Sequence, residues 1–403
     1  MPKHPVSNTE SRFSRLTSLL AEWQPLWRPA PFMYRRPPWQ EAYRELADVL
    51  LELDDLQVAR LQANPWQDSP LSDWLPVREL AELVRLEPLA ASPGSLPEGW
   101  GRHVGGRKWR QIEAFSQCLQ VNSHESLLDW CAGKGHLART LARCHAVEVT
   151  ALEWQVSLCE EGQRLAAAQH APVLMRQQDV MAEEAGGFLS LHTHVVALHA
   201  CGDLHLRLLE LAAAAGSTVT LAPCCYHRTQ DEVYRSTSQL GRRLSDEYPL
   251  RLDRDDLALA VQETVTAPRG VRHRRERANA WRLGFDEMQR ELRDEDSYLP
   301  VPSLAYGRMP ECFVAFCHWA AQRKGLDLPG SLDLAPYERS GWQRQAEVKR
   351  LELVRHLFRR PLEIWLVMDR LSLLEEAGYE VELGTFCATE LTPRNLLIRA
   401  KKT

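Results

Sequence analysis

From about residue 101 the apolar positions fall into short runs, each followed by a longer stretch with helical spacing. The short runs predict strands at Ser126–Trp130, Val147–Glu153, Pro172–Gln177, His194–His199 and Thr218–Ala222. Leu158–Ala168 and Leu204–Ala215 carry the helical pattern between them. Strands alternating with helices predict a parallel sheet covered on both faces. Right-handed crossovers then place the C-terminal strand ends on one edge, where ligands bind.

The flanks read differently. Residues 1–100 are helical in pattern and broken by prolines, with apolar residues at helical spacing over Trp39–Leu61. Ser92-Pro93-Gly94-Ser95 is a turn cluster that marks a boundary. Residues 231–360 are charged, mostly helical and rich in Arg, and read as an insertion. Pro361–Ala377 then predicts a helix capped by Gly378. Strands at Tyr379–Ala388 and Asn395–Lys401 follow, joined by a turn containing Pro393 and therefore antiparallel. The expected fold is α/β: a Rossmann-like core at 101–230 and 361–403, a helical N-terminal region, and a mostly helical basic insertion.

Composition narrows the class. Hydrophobic residues make up 44% and charged residues 26% of the 403, ordinary values for a soluble chain. A net charge of -5 does not advertise nucleic acid, although a local basic patch still can bind it. Ten scattered Cys read as reduced thiols, the state of a cytoplasmic protein. Met1–Arg12 lacks an apolar core, so no signal peptide is expected. No apolar run reaches a membrane-spanning length. Oligomeric state leaves no mark.

The most informative stretch is Asp129-Trp130-Cys131-Ala132-Gly133-Lys134-Gly135-His136, between the first strand and a helical run over Leu137–Ala142. Two glycines let the backbone turn sharply and approach a ligand, and the helix start offers free N–H groups. Gly133-x-Gly135-x-x-Ala138 also fits a dinucleotide fingerprint. Glu153, at the end of the second strand, is placed to bind ribose hydroxyls. Asp179, after the third strand, is placed to meet an adenine amino group, and Trp154 to stack on the adenine. A parallel sheet closed by an antiparallel hairpin favours a class I methyltransferase over a dehydrogenase.

A second cluster stands on the fourth and fifth strand ends: His199-Ala200-Cys201-Gly202-Asp203 and Pro223-Cys224-Cys225-Tyr226-His227. Three chemistries compete here. His199, Asp203 or His227 would orient substrate and take a proton. A thiolate at Cys201 or Cys224 would attack a pyrimidine ring, as in RNA cytosine-C5 methyltransferases. Cys and His at short range also suit zinc, but the paired spacing of a zinc finger is absent and no metal ligand is assigned.

Together with Leu391-Thr392-Pro393-Arg394-Asn395-Leu396, these words resemble a family of S-adenosylmethionine-dependent methyltransferase-like proteins. That family includes the glutathione S-transferase C-terminal-domain-containing protein. A related His-x-Cys-Gly and Cys-Cys-His pair occurs in the eukaryotic tRNA 2′-O-methyltransferase of the acceptor stem. The resemblance covers roughly 105–230 and 361–403, and the Arg107-Lys108-Trp109-Arg110-Gln111-Ile112 helix start is similar to the family's Lys-rich segment. It implies S-adenosyl-L-methionine as cofactor. Asp129, Gly133 and Gly135 would form the cofactor loop, with Lys108 nearby. Glu153 would hold the ribose, Asp179 the adenine, and His199 would face the methyl group. Cys224, Cys225 and His227 would line the substrate side, and Arg394-Asn395 would close the far end of the sheet. Cys131 stands where the family's first loop glycine is usual.

Within the insertion, Arg269, Arg272, Arg274 and Arg275 are followed by Trp281, a set that can grip phosphates and stack on bases. The expected activity is methyl transfer from S-adenosylmethionine to RNA, tRNA or rRNA. A protein or small-molecule acceptor, or a non-catalytic scaffold that keeps the fold, are the alternatives.

Overall fold

The computed structural model describes residues 8–92, 94–262, 269–304 and 308–403. They form two compact units. Unit 1 comprises Met1–Ala21, Glu82–Gln262 and Arg359–Thr403, and unit 2 comprises Glu22–Ala81 and Glu263–Phe358. Among the described residues no helix is long and apolar enough to cross a membrane.

Unit 1 holds a seven-stranded sheet. Its strands are β1 (Ser126–Trp130), β2 (Val149–Glu153), β3 (Val173–Gln177), β4 (Thr193–Cys201), β5 (Thr218–Cys224), β6 (Tyr379–Thr385) and β7 (Leu396–Lys402). The order is β3-β2-β1-β4-β5-β7-β6. β1 to β5 run parallel, and β7 pairs antiparallel with both β5 and β6. The strand order reverses at β1, so the cleft above β1 and β4 is the topological switch point. β4 and β5 run longer than the sequence pattern predicts, ending at Cys201 and Cys224.

The central strands are buried because helices cover both faces, and their residues are accordingly apolar without alternation. The C-terminal helix and the first helix also meet in unit 1. Phe13 lies edge-on to Trp365 at 5.5 Å, and Trp365 Nε1 donates to Thr17 Oγ1 at 2.8 Å. The edge strand β6 is covered by residues 87–89, which exchange backbone bonds with Thr385.

The helical spacing over Trp39–Leu61 gives two helices, Arg44–Glu52 and Asp55–Ala63, because Asp54 accepts from Gln57 N at 2.7 Å while Asp54 N donates to Gln57 Oε1. That reciprocal cap starts a new helix. One helical expectation needs correction, since Pro361 does not start a helix. It lies inside Ala335–Glu376, whose residues belong to unit 2 up to Phe358 and to unit 1 beyond it.

Unit 2 is stapled by aromatic rings. Trp27 packs against Phe358, and Trp281 and Phe285 pack on Phe316. Asp286 is fully buried between Arg290 at 3.0 Å and Arg344 at 2.9 Å, so its charge is paired inside the helical cluster.

Within unit 1 the segment after β5 is fastened to the long C-terminal helix by carboxylates, Asp369 above all. Buried Asp369 accepts from Tyr234 Oη at 2.6 Å, Thr237 N and Oγ1 at 2.8 and 2.9 Å, and Ser238 N and Oγ at 3.0 and 2.5 Å. Asp369→Ala strands these donors, and we expect it to destabilise unit 1 by about 3 kcal/mol or more. Urea denaturation checks this, and a midpoint equal to that of the parent would refute it.

Candidate active site

The turn after β1 is built from left-handed backbone. Cys131, Gly133 and Gly135 have φ of +59°, +59° and +63°. Glycine adopts this conformation without strain, whereas Cys131 holds it at a cost of order 1 kcal/mol. Three bonds fix the turn. Gly133 N donates to Glu153 Oε2 at 2.9 Å, Ala132 N to the Leu152 carbonyl at 2.8 Å, and Ala138 N to Asp129 Oδ2 at 3.1 Å. The last satisfies a free N–H in the first turn of the helix His136–His145. The other Glu153 oxygen accepts from Gln155 N at 3.0 Å.

The cofactor residues expected from sequence share this sheet edge. Glu153 pairs in register with Gln177, so Trp154 and Asp179 leave neighbouring strand ends. Trp154 is 66% exposed, as a ring awaiting a stacking partner must be. Asp179 is exposed and accepts from Met181 N at 2.9 Å. Lys108, on the helix Gly106–Gln117, is exposed and near enough to act electrostatically on Asp129, His136 and His199.

β4 and β5 end side by side, with Cys201 and Cys224 paired in register after a bulge beginning at Leu198. Their loops are stitched together. Gly202 N donates to the Cys224 carbonyl, Asp203 N to the Arg228 carbonyl, and Gln230 N to Asp203 Oδ2 at 2.7 Å. A Cβ on Gly202 would stand 1.8 Å from the Arg228 carbonyl oxygen, so only glycine allows the two loops to meet. His199 and Cys225 also have positive φ, +76° and +49°. With Cys131, that puts three strained non-glycine residues around one cleft, a pattern of functional sites.

His199 Nε2 lies 3.0 Å from Gln111 Oε1. Gln111 Nε2 donates to the Leu391 carbonyl at 3.5 Å, which leaves Oε1 to accept from the ring. His199 therefore carries its proton on Nε2, and Nδ1 is the acceptor. Burial, then Lys108, holds its pKa below the ordinary value, so the ring is neutral at neutral pH. Gln111 was missed in the sequence, although it lies three residues after Lys108 on the same helix. His205 was missed too. It is buried, accepts from Arg370 Nε at 2.8 Å and bonds the Ala200 carbonyl through Nδ1 at 3.1 Å, supporting the β4 loop from below.

Several expected roles change. Asp203 clamps the two loops, since its Oδ2 accepts from Gln230 N. Cys224 is 3% exposed and its pKa is driven up by the neighbouring thiols, so it is not an accessible nucleophile. His227 is half-buried, and its Nδ1 has no hydrogen-bond partner among the described residues. Arg394 donates to the Val261 carbonyl, and Asn395 bridges Arg360 and the Cys387 carbonyl, so both brace the hairpin turn.

In unit 2, Arg272 and Arg275 are exposed and line an open cavity of about 780 Å³ with His273, Gln62 and Lys349. Arg274 is exposed. Arg269 begins a helix, but its side chain lies outside the described residues. Trp281 is no stacking platform. It is 4% exposed, packs on Phe313 and Phe316, donates to Glu338 at 3.1 Å and carries the Arg277 guanidinium 5.1 Å from its centre.

With this geometry in view, residues 107–232 match the model of a family described as a methyltransferase domain. The chain carries a methyltransferase domain. Its similarity to solved structures is distant. The tRNA (uracil-54, C5)-methyltransferase of Pyrococcus abyssi, in complex with S-adenosyl-L-homocysteine, is 15% identical over 34% of this chain and 30% of its own, with a TM-score of 0.24. An RNA methyltransferase of Salinibacter ruber, in the same kind of complex, is 15% identical over 31% of this chain and 83% of its own, TM-score 0.24. The O-methyltransferase of a trans-AT PKS multienzyme from Brevibacillus brevis is 14% identical over 34% and 52%, TM-score 0.24. The chain thus spans under a third of the Pyrococcus protein.

Beneath the methyltransferase domain's loop, Asp129 has a pKa raised to about 7, chiefly by burial, against the bond from Ala138 N and the nearby Lys108. Its unfolded pKa is about 4. The folded form keeps its proton longer, so Asp129's contribution is fully present below about pH 4 and is lost as pH rises to about 7. Asp129→Asn removes the titration and still accepts from Ala138. The stability of the variant relative to the parent should therefore rise between pH 4 and 7 and then level off. Parallel urea melts test this, and a constant difference across that range would refute it.

Proposed function

We propose that the protein transfers a methyl group from S-adenosylmethionine to RNA, with tRNA or rRNA as substrate. The observation that carries the cofactor assignment is the loop over β1. A Cβ on Gly133 would meet nothing within 4 Å, so the backbone there is open to a ligand above the end of β1. The donor set around it suits an adenosine with a charged tail. Glu153 keeps lone pairs for ribose hydroxyls after binding Gly133 and Gln155. Asp179 offers a carboxylate to the adenine amino group, and exposed Trp154 a stacking face. Asp129 fixes the loop from below, and the backbone at Gly133 and Gly135 meets the remaining end.

When bound, the cofactor supplies a methyl group already activated on a sulfonium. The protein's work is then alignment and removal of one proton. His199 takes that proton from a hydroxyl or amine acceptor at Nδ1, while Nε2 stays bonded to Gln111. Its depressed pKa keeps the base free at neutral pH.

Calorimetric titration with S-adenosylmethionine and S-adenosylhomocysteine tests the cofactor. Glu153→Ala removes the acceptor of two backbone donors and of the ribose. It should weaken binding by about 1.5–3 kcal/mol, roughly 10- to 150-fold. Unchanged affinity in Glu153→Ala and Asp129→Ala would sink the assignment.

RNA is supported by the basic lining of the unit 2 cavity, where guanidiniums and Lys349 can meet phosphates. Arg272→Glu with Arg275→Glu should lower RNA affinity at least tenfold and flatten its salt dependence. Intact RNA binding and activity in that variant would shift the acceptor to a protein or small molecule.

A further inference from the structure

The third chemistry offered by the strand ends deserves its own geometry. Cys201, Cys224 and Cys225 bring three sulfurs together, all within 4.8 Å of one another. Cys201 and Cys224 Sγ are 3.6 Å apart. Tetrahedral zinc binds sulfur at about 2.3 Å, which sets ligand sulfurs about 3.8 Å apart. The observed spacing is close to that edge, and it arises without a metal to impose it.

The scaffold holds the three sulfurs before any ion arrives. Two of them cap strands paired in register, and the third follows on a residue held at φ +49°. The bonds between the two loops lock the strand ends against each other. A fixed donor set of this kind lowers the ordering cost of binding. The Arg394 and Arg228 guanidiniums lie near enough to act electrostatically on Cys225. Three thiolates on a divalent ion leave one net negative charge, which those two arginines offset.

We infer that Cys201, Cys224 and Cys225 form a three-sulfur site for a thiophilic divalent cation, zinc being the expected occupant. Binding releases the thiol protons to solvent and involves no change of oxidation state. Three protein ligands leave a fourth position for water, the open arrangement of catalytic rather than structural zinc. The ligands are joined through a parallel ladder and not through a Cys-x-x-Cys turn, so the site lacks a zinc-finger spacing.

The test uses the full chain, stripped of metal under reducing conditions and titrated with zinc against a chromogenic chelator, then with cobalt(II). Neither titration requires cofactor or substrate, so the result is independent of the methyltransferase reading. We expect one zinc per chain and a sulfur-to-cobalt charge-transfer band. Cys225→Ser and Cys201→Ser should each lower zinc affinity by about 10- to 100-fold, whereas Cys144→Ser, at an exposed position, should leave it unchanged. Should a variant fail to fold, alkylation of the parent decides: zinc must protect the partly exposed Cys201 and Cys225 and leave labelling of the exposed Cys144 and Cys312 unchanged. Equal zinc affinity in parent and Cys225→Ser, or a Cys201–Cys224 disulfide in chain purified anaerobically, would overturn the site.

Discussion

The bond from Gly133 N to Glu153 constrains everything above the sheet. It ties a left-handed turn after β1 to the end of β2, and so converts a strained excursion of the chain into a fixed rim. Asp129 does the same from beneath by holding Ala138 N. Two buried carboxylates thus define the turn from opposite sides. Burial keeps Asp129 protonated up to near neutrality.

Across the switch point the problem is solved differently. The loops after β4 and β5 are joined mainly by backbone, with Gly202 at the closest approach and the Asp203 carboxylate accepting from Gln230 N. His205 and Arg370 support that junction from the buried side. His199 inherits its orientation from Gln111, a residue on a helix that precedes the whole sheet. The glycine loop follows β1, His199 and Cys201 stand on β4, and Cys224 ends β5, so the loop and the ring have separate supports.

Much of this was legible in the chain because parallel strands are buried on both faces and read as unbroken apolar runs. The β1 strand was placed to the residue, and the terminal hairpin followed from the turn at Pro393. The glycine turn and Glu153 were visible because their spacing has a geometric reason. What stayed hidden depends on contacts between distant segments. Trp281 beside four arginines reads as a stacking ring until Phe313 and Phe316 cover it. Asp54 interrupts a stretch whose apolar spacing continues through it, because a reciprocal cap outweighs periodicity locally. The convergence of the cysteines on the fourth and fifth strand ends was legible from topology, whereas the pairing of Cys201 with Cys224 is a matter of strand register.

The position of β7 has a consequence for how the sheet is assembled. It comes last among the strands in sequence order, yet lies between β5 and β6. Until it docks, β5 presents a full row of unpaired amides along an apolar strand, and β6 has no partner in the sheet. The nascent domain must keep that edge from self-association while the long helical segments between β5 and β6 are still being made. Sealing the sheet is therefore a late, long-range event, and the cleft formed by β1 to β5 takes shape on a scaffold that is open on one side until the hairpin slots in.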